Sequence, residues 1–63
     1  MAVVFKEYKR GEWAVSLRSE ELDISILART LGGGGHTRAS GYVTFGTSEH
    51  VVAELKAAVQ RLY

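Results

Sequence analysis

Apolar and polar residues alternate from Glu12 to Ser19. Trp13, Val15 and Leu17 fall on one side, and Ala14, Ser16 and Arg18 on the other. A period of two is that of a strand covered on one face. Val3 to Tyr8 is rich in β-branched and aromatic residues and predicts a preceding strand,. Lys9-Arg10-Gly11 supplies the turn that would join the two as an antiparallel hairpin,. The period then changes. Ile24, Leu27, Ala28 and Leu31 make one apolar stripe at helical spacing, with Asp23 placed to cap its start and Gly32 placed to end it in a left-handed conformation,. His36 to Ser40 reads as a loop or a single helical turn. Gly41 leads into a third strand, Tyr42 to Phe45, and Gly46-Thr47-Ser48 forms a turn and cap,. Glu49 to Tyr63 is the longest helix, with Val51, Val52, Leu55, Ala58, Val59 and Leu62 as its apolar stripe. Glu49 near its start and Arg61 near its end suit the helix dipole,.

The order strand, strand, helix, glycine-rich loop, strand, helix predicts an α+β fold. A small mixed sheet of about three strands would be covered on one face by two helices. The connection from the second strand to the third crosses over a helix, which predicts a parallel pair and a right-handed crossover. The face away from the helices would carry Ser16 and Arg18. It would meet solvent, another domain or a second copy of the chain. Trp13, Tyr42 and Phe45 are assigned to core or sheet packing ahead of base stacking.

A chain of 63 residues forms one small domain, and one of about this size buries only roughly 60% of its unfolded surface. The sequence has no cysteine, and its two histidines, His36 and His50, are far apart in sequence. That excludes a disulfide framework and argues against a zinc site. Stability therefore depends on apolar packing, a partner or a parent chain. At 46% hydrophobic and 24% charged the composition is that of a soluble globular protein,. Neither a signal peptide nor an apolar run long enough to span a membrane is present. The single aspartate, Asp23, and six scattered glutamates do not make the clustered ligands that metal-dependent phosphoryl chemistry requires,. A formal net charge of +1 argues against a broad nucleic-acid surface,.

Against this background the run Gly32-Gly33-Gly34-Gly35, followed by His36, stands out. Each glycine adds conformational freedom that folding must remove, and one suffices to end a helix. The other three offer bare backbone that a ligand can approach. An anion, and a phosphate above others, is the expected ligand. If His36 to Ser40 formed a helical turn, the N–H groups of Gly35, His36 and Thr37 would point outward at its start. No acidic residue lies between Asp23 and Glu49, whereas Arg29, Arg38 and His36 do. The run is not a Walker loop, since no Lys-Ser or Lys-Thr follows it. Nor is it a dinucleotide fingerprint, since it follows a helix.

Ser16-Leu17-Arg18-Ser19, a short helix with Ile24 and Ala28, and then Leu31-Gly32-Gly33-Gly34-Gly35-His36-Thr37-Arg38-Ala39-Ser40-Gly41 together resemble the DHH-associated domain. That is the C-terminal, substrate-binding domain of DHH-family phosphoesterases, which include RecJ-like exonucleases, oligoribonucleases and cyclic dinucleotide phosphodiesterases. The resemblance covers residues 12 to 63. It implies that Gly33, Gly34, Gly35 and His36 hold a substrate phosphate, that Arg18 contacts substrate, and that Ala39 and Gly41 allow close packing behind the loop. Ser16 and Arg38 are further candidate contacts. The resemblance implies no catalytic residue and no metal in this chain. Mn2+ or Mg2+ would be held by an N-terminal domain carrying the D-H-H motif, which these residues do not contain. The expected partners are that domain and a phosphate-bearing nucleotide or short single-stranded oligonucleotide, in a cytoplasmic enzyme from which the chain is a fragment. The alternative is a freestanding nucleic-acid-binding module, including the related tRNA-binding domain of alanyl-tRNA synthetases.

Overall fold

The computed structural model describes residues 1–63. Its elements are β1 (Ala2–Lys9), β2 (Glu12–Arg18), α1 (Ile24–Thr30), β3 (Gly34–Gly35), β4 (Ala39–Phe45) and α2 (Ser48–Leu62). The fold is α+β, as the pattern of elements predicts. The sheet departs from expectation in two ways. It has four strands in the order β1-β2-β4-β3, and every neighbouring pair is antiparallel. The expected parallel pairing of the second strand with Tyr42–Phe45 is therefore incorrect, and the sheet is not mixed.

One physical event accounts for both differences. After α1 the chain does return to the sheet, but it does so as the two-residue strand β3. His36 and Ala39 then close a tight reversal, exchanging main-chain bonds of 2.8 and 3.2 Å. The chain turns back between β2 and β3, so β4 runs opposite to β2. A single helical turn over His36–Ser40 is excluded by the same reversal.

Local signals hold elsewhere. Arg10-Gly11 joins β1 to β2 with Gly11 at φ 76°, and the Glu7 carboxylate accepts from its N–H at 2.9 Å. Asp23 caps α1, accepting from the main-chain N–H of Ser25 at 3.0 Å and from the Ser25 hydroxyl. Thr47 caps α2 by accepting from His50 N–H at 3.1 Å. The Tyr63 hydroxyl donates to the Asp23 carbonyl at 2.6 Å, tying the end of α2 to the start of α1.

Val15 and Leu17 of β2, Tyr42 of β4, Ile24, Leu27 and Ala28 of α1, and Val51, Leu55 and Ala58 of α2 form the core, with Val3, Phe5, Trp13, Leu31 and Val59 packed around it. Val52 and Leu62, assigned to the α2 stripe, are exposed instead. Trp13 is half-buried and donates its indole N–H to the Gly46 carbonyl at 3.0 Å. Tyr42 is a core residue, whereas Phe45 stands exposed. No helix is long and apolar enough to cross a membrane.

Candidate functional site

The pleat of β2 points Val15 and Leu17 into the core and leaves Ser16 and Arg18 exposed on the open face of the sheet,. The ladders set what stands beside them. Ser16 lies opposite Gly41 of β4, which in turn lies opposite Gly34 of β3, and Arg18 lies opposite Ala39. Three strands thus bring Ser16, Arg18 and Gly34 to one groove of about 300 Å³, shared with Leu17, Ala39, Ser40 and Gly41. Arg18 makes no ion pair and no side-chain hydrogen bond, because the chain's one ion pair joins Arg38 to Glu20. Its five guanidinium donors are unspent within the protein.

The glycine run serves the site differently from the expected cradle of amides. The N–H of Gly33 donates to the Ala28 carbonyl at 2.8 Å, and that of His36 to the Ala39 carbonyl at 2.8 Å. Since His36 and Ala39 form a bonded pair, the alternation of an antiparallel ladder makes Gly35–Ser40 an open pair and Gly34–Gly41 the next bonded one,. The Gly35 N–H then points off the free edge of the sheet, away from the groove. Of the expected cradle from Gly33 to His36, the amides of Gly33 and His36 thus already have main-chain partners.

Three of the four glycines have local reasons. Gly32 ends α1 at φ 90°. A Cβ on Gly33 would stand 2.1 Å from the Gly41 carbonyl oxygen, so β3 could not lie this close to β4. Gly35 has φ 142°, and a Cβ there would stand 2.8 Å from the Ala39 oxygen. Gly34 has neither reason. Its φ is not positive, and an added Cβ would meet nothing within 4 Å. Its missing side chain leaves a floor to the groove that an approaching group can touch.

His36 sits at the reversal with both main-chain groups engaged. Its carbonyl also accepts from the Ser40 hydroxyl, and its ring is exposed and lines neither groove. Arg38 lies beyond Ala39 on the wall of a larger cavity of about 540 Å³, which Arg18 also lines together with Met1, Ala2, Ser19, Glu20, Glu21 and Ala39. The sequence holds no acid between Asp23 and Glu49, but acids from an earlier segment stand near the loop in space. Main-chain bonds from Ser19 to Arg38 (3.1 Å) and from Ile24 to Thr37 (3.0 Å) zip the connection carrying Glu20 and Glu21 to the reversal. Ser40 is a groove residue that the sequence left without a role. Its only signal was its place between Ala39 and Gly41.

Two groups titrate away from their ordinary values, and both lie outside the groove. The side-chain hydrogen bond from Ser25 is the main cause that holds the Asp23 carboxyl below its usual range. Burial, aided by the Glu54 carboxylate, pushes the Tyr42 phenol up to about 12. No group of three or more histidine, aspartate or glutamate side chains comes together that could hold a metal ion. Compared with known families, the chain matches the model described as the DHHA1 domain over residues 1–63.

Proposed function

The chain belongs to the DHHA1 family, the DHH-associated domain of DHH-family phosphoesterases, and on that premise we propose that it grips a phosphate of a nucleotide or short single-stranded oligonucleotide for a metal-dependent hydrolase. One observation carries the reading: an unpaired guanidinium, Arg18, converges with the Ser16 hydroxyl and the bare Cα of Gly34 in a single groove. A guanidinium presents a planar fork that matches two phosphate oxygens, and a hydroxyl adds a neutral donor. Gly34 leaves the room such an anion needs.

In this reading the domain binds and orients, and the chemistry belongs elsewhere. A DHH domain would supply Mn2+ or Mg2+, and with it the activation of the attacking water. Ser16, Arg18 and Gly34 fix the phosphate against them, so that the reacting atoms meet in one geometry. Arg38 extends the same wall. Gly33, Gly35 and His36 act indirectly, by holding β3 against β4 and setting the reversal.

Titration of the 63-residue chain with inorganic phosphate and with thymidine 5′-monophosphate, followed by amide NMR, tests this. The resonances of Ser16, Arg18 and Gly34 are expected to move together. Arg18→Ala should weaken binding by about tenfold or more, the loss of a charge-assisted contact, while the melting temperature changes by less than about 4 °C because the side chain is exposed. Unchanged binding by that variant would end the assignment of Arg18.

A further inference from the structure

We propose that the free edge of β1 is a pairing surface for a second copy of this chain, the two β1 strands running antiparallel about a two-fold axis at Val4 so that the two sheets become one. The inference stands apart from the phosphate reading. It concerns the outer edge of the sheet, and the Arg18 groove on the open face plays no part in it.

The ladders fix which main-chain groups that edge presents. Gly46 donates to the Gly11 carbonyl at 2.9 Å and Ser19 to the Arg38 carbonyl at 3.1 Å. Glu12–Phe45 and Arg18–Ala39 are therefore open pairs, and Trp13–Thr44, Val15–Tyr42 and Leu17–Ser40 are the bonded ones,. The amides and carbonyls of Ala14, Ser16 and Arg18 turn the other way, to Lys6, Val4 and Ala2 of β1. Those of Val3, Phe5 and Glu7 then point off the sheet. β1 is the end strand, and no main-chain bond outside the ladders reaches it. An edge in this state is a template for another strand.

The guards of the edge all stand at one end. Lys6, Glu7 and Lys9 are charged, and the register slips between Glu7 and Lys9. Ala2-Val3-Val4-Phe5 carries no charge, proline or glycine, and Val4 is 62% exposed on the open face. A second β1 laid with Val4 opposite Val4 sets Val3 opposite Phe5, Ala2 opposite Lys6 and Met1 opposite Glu7. Val3 and Phe5 then exchange both of their main-chain bonds, and symmetry repeats the exchange. Because Val3 pairs with Leu17 and Phe5 with Val15 inside each copy, the apolar row on the helix face runs on from one copy into the other. No like charges stand opposite each other. Sliding the strands until Phe5 faces Phe5 would set Val3 against Glu7 and Val4 against Lys6, so self-pairing has one favoured register.

Met1 shares a cavity of about 430 Å³ with Leu55, Lys56, Val59 and Gln60 of α2. In the paired arrangement Glu7 of the second copy stands opposite Met1, and its Phe5 opposite Val3. The incoming strand thus brings an aromatic ring toward an apolar space and a carboxylate toward the Lys56 ammonium. The surface beside β1 complements β1 itself, which favours a second copy over an unrelated peptide.

Sedimentation velocity of the 63-residue chain from about 5 to 500 μM should show a monomer–dimer equilibrium with a Kd on the order of 10–100 μM, as for a small interface. Val4→Lys, at an exposed position, should keep the monomer's melting temperature and weaken association at least about tenfold, because the two new charges face each other at the axis. The chain has no cysteine, so Val4→Cys reports the register. Its sulfurs would meet across an open pair with Cα atoms about 4.5 Å apart, within disulfide range. Mild oxidation should give a covalent dimer of Val4→Cys and none of Lys6→Cys. A monomer throughout the concentration range, association undiminished in Val4→Lys, or equal crosslinking at the two positions would each overturn the proposal.

Discussion

Alanine at Gly33 and alanine at Gly34 should behave as opposites, although the residues are neighbours in a run of identical ones. At Gly33 a Cβ would stand 2.1 Å from the Gly41 carbonyl oxygen and 2.6 Å from Tyr42 Cβ. Ordinary contact begins near 3.4 Å, so β3 must retreat by more than an ångström from atoms that belong to a paired strand and cannot turn aside. Overpacking of this kind costs about 1–3 kcal/mol, and separating β3 from β4 loosens two or more main-chain bonds at about 1 kcal/mol each. A total of about 3–5 kcal/mol is comparable with the whole stability of a domain this small, about 3–9 kcal/mol at the usual figure per residue. Gly33→Ala should therefore lower the melting temperature by at least about 12 °C or leave the chain unfolded. At Gly34 an added Cβ meets nothing within 4 Å. Alanine there restricts the unfolded chain, a gain of about 0.4–1 kcal/mol where the native backbone suits it, so the melt should hold or rise by a few degrees. Its methyl stands in the groove, however, and should weaken phosphate binding about three- to tenfold, as a lost contact of roughly 1 kcal/mol would. Circular dichroism melts and amide NMR titrations of both variants separate the two effects. If Gly33→Ala melted within about 5 °C of the unaltered chain, or Gly34→Ala fell by more than about 8 °C, the division of the glycines into packing and groove would be wrong.

Leu27 is fully buried between the helices and the sheet, so Leu27→Ala should cost about 2–5 kcal/mol and leave much of the population unfolded at 37 °C by circular dichroism. A small, fully reversible shift in the melt would contradict the core described. The Tyr42 hydroxyl is buried without a partner, and Tyr42→Phe should be neutral or stabilising by up to about 1 kcal/mol; a lower melting temperature would mean that the hydroxyl is bonded. The phenol's value is raised in the fold, so its contribution is fully present below pH 10.0 and is lost as pH rises from there toward about 12,. That alkaline loss should be smaller in Tyr42→Phe, as read from melts across the range. Asp23 has the opposite sign: its carboxyl is depressed below the ordinary 3.8, so its contribution is present above that pH and disappears as pH falls through the depressed value,. Asp23→Asn keeps a capping side chain and should flatten the acid limb of the melting profile while leaving neutral pH unaffected; an unchanged acid limb would remove Asp23 from the account.

What the sequence made legible was what short-range periodicity encodes. Trp13, Val15 and Leu17 announce the face of β2, and that alternation places Ser16 and Arg18 on the other face without any knowledge of the rest. Ile24, Leu27 and Ala28 announce the buried side of α1. β3 could not be read this way, since two glycines carry no strand preference and no side chain to pattern. It is a strand because Gly33 fits against Gly41 and because His36 and Ala39 close the reversal. Missing that reversal also inverted the sense expected of β4. The site shows the same division. The bareness of the run was visible, but the partners of its amides were not: Gly33 reaches back to Ala28 and His36 across the reversal to Ala39. The acids near the loop were invisible for a related reason, because Glu20 meets Arg38 only after two chain segments are zipped together.

Replacing an amide nest by one free guanidinium changes what the domain can do alone. Amides fixed around an anion are already oriented, whereas Arg18 is a flexible side chain on an exposed face, and its charge acts through water. Two unit charges 4 Å apart interact by about 1 kcal/mol in bulk water and by about 4 kcal/mol where the surroundings are partly excluded from it. The same contact thus gains severalfold when something covers the groove. If, as proposed, a catalytic domain covered the open face of the sheet, it would dry Arg18 and strengthen its hold on a phosphate. The same reasoning predicts that the domain alone would bind phosphate more weakly than the covered domain, since an exposed guanidinium works against the dielectric of water.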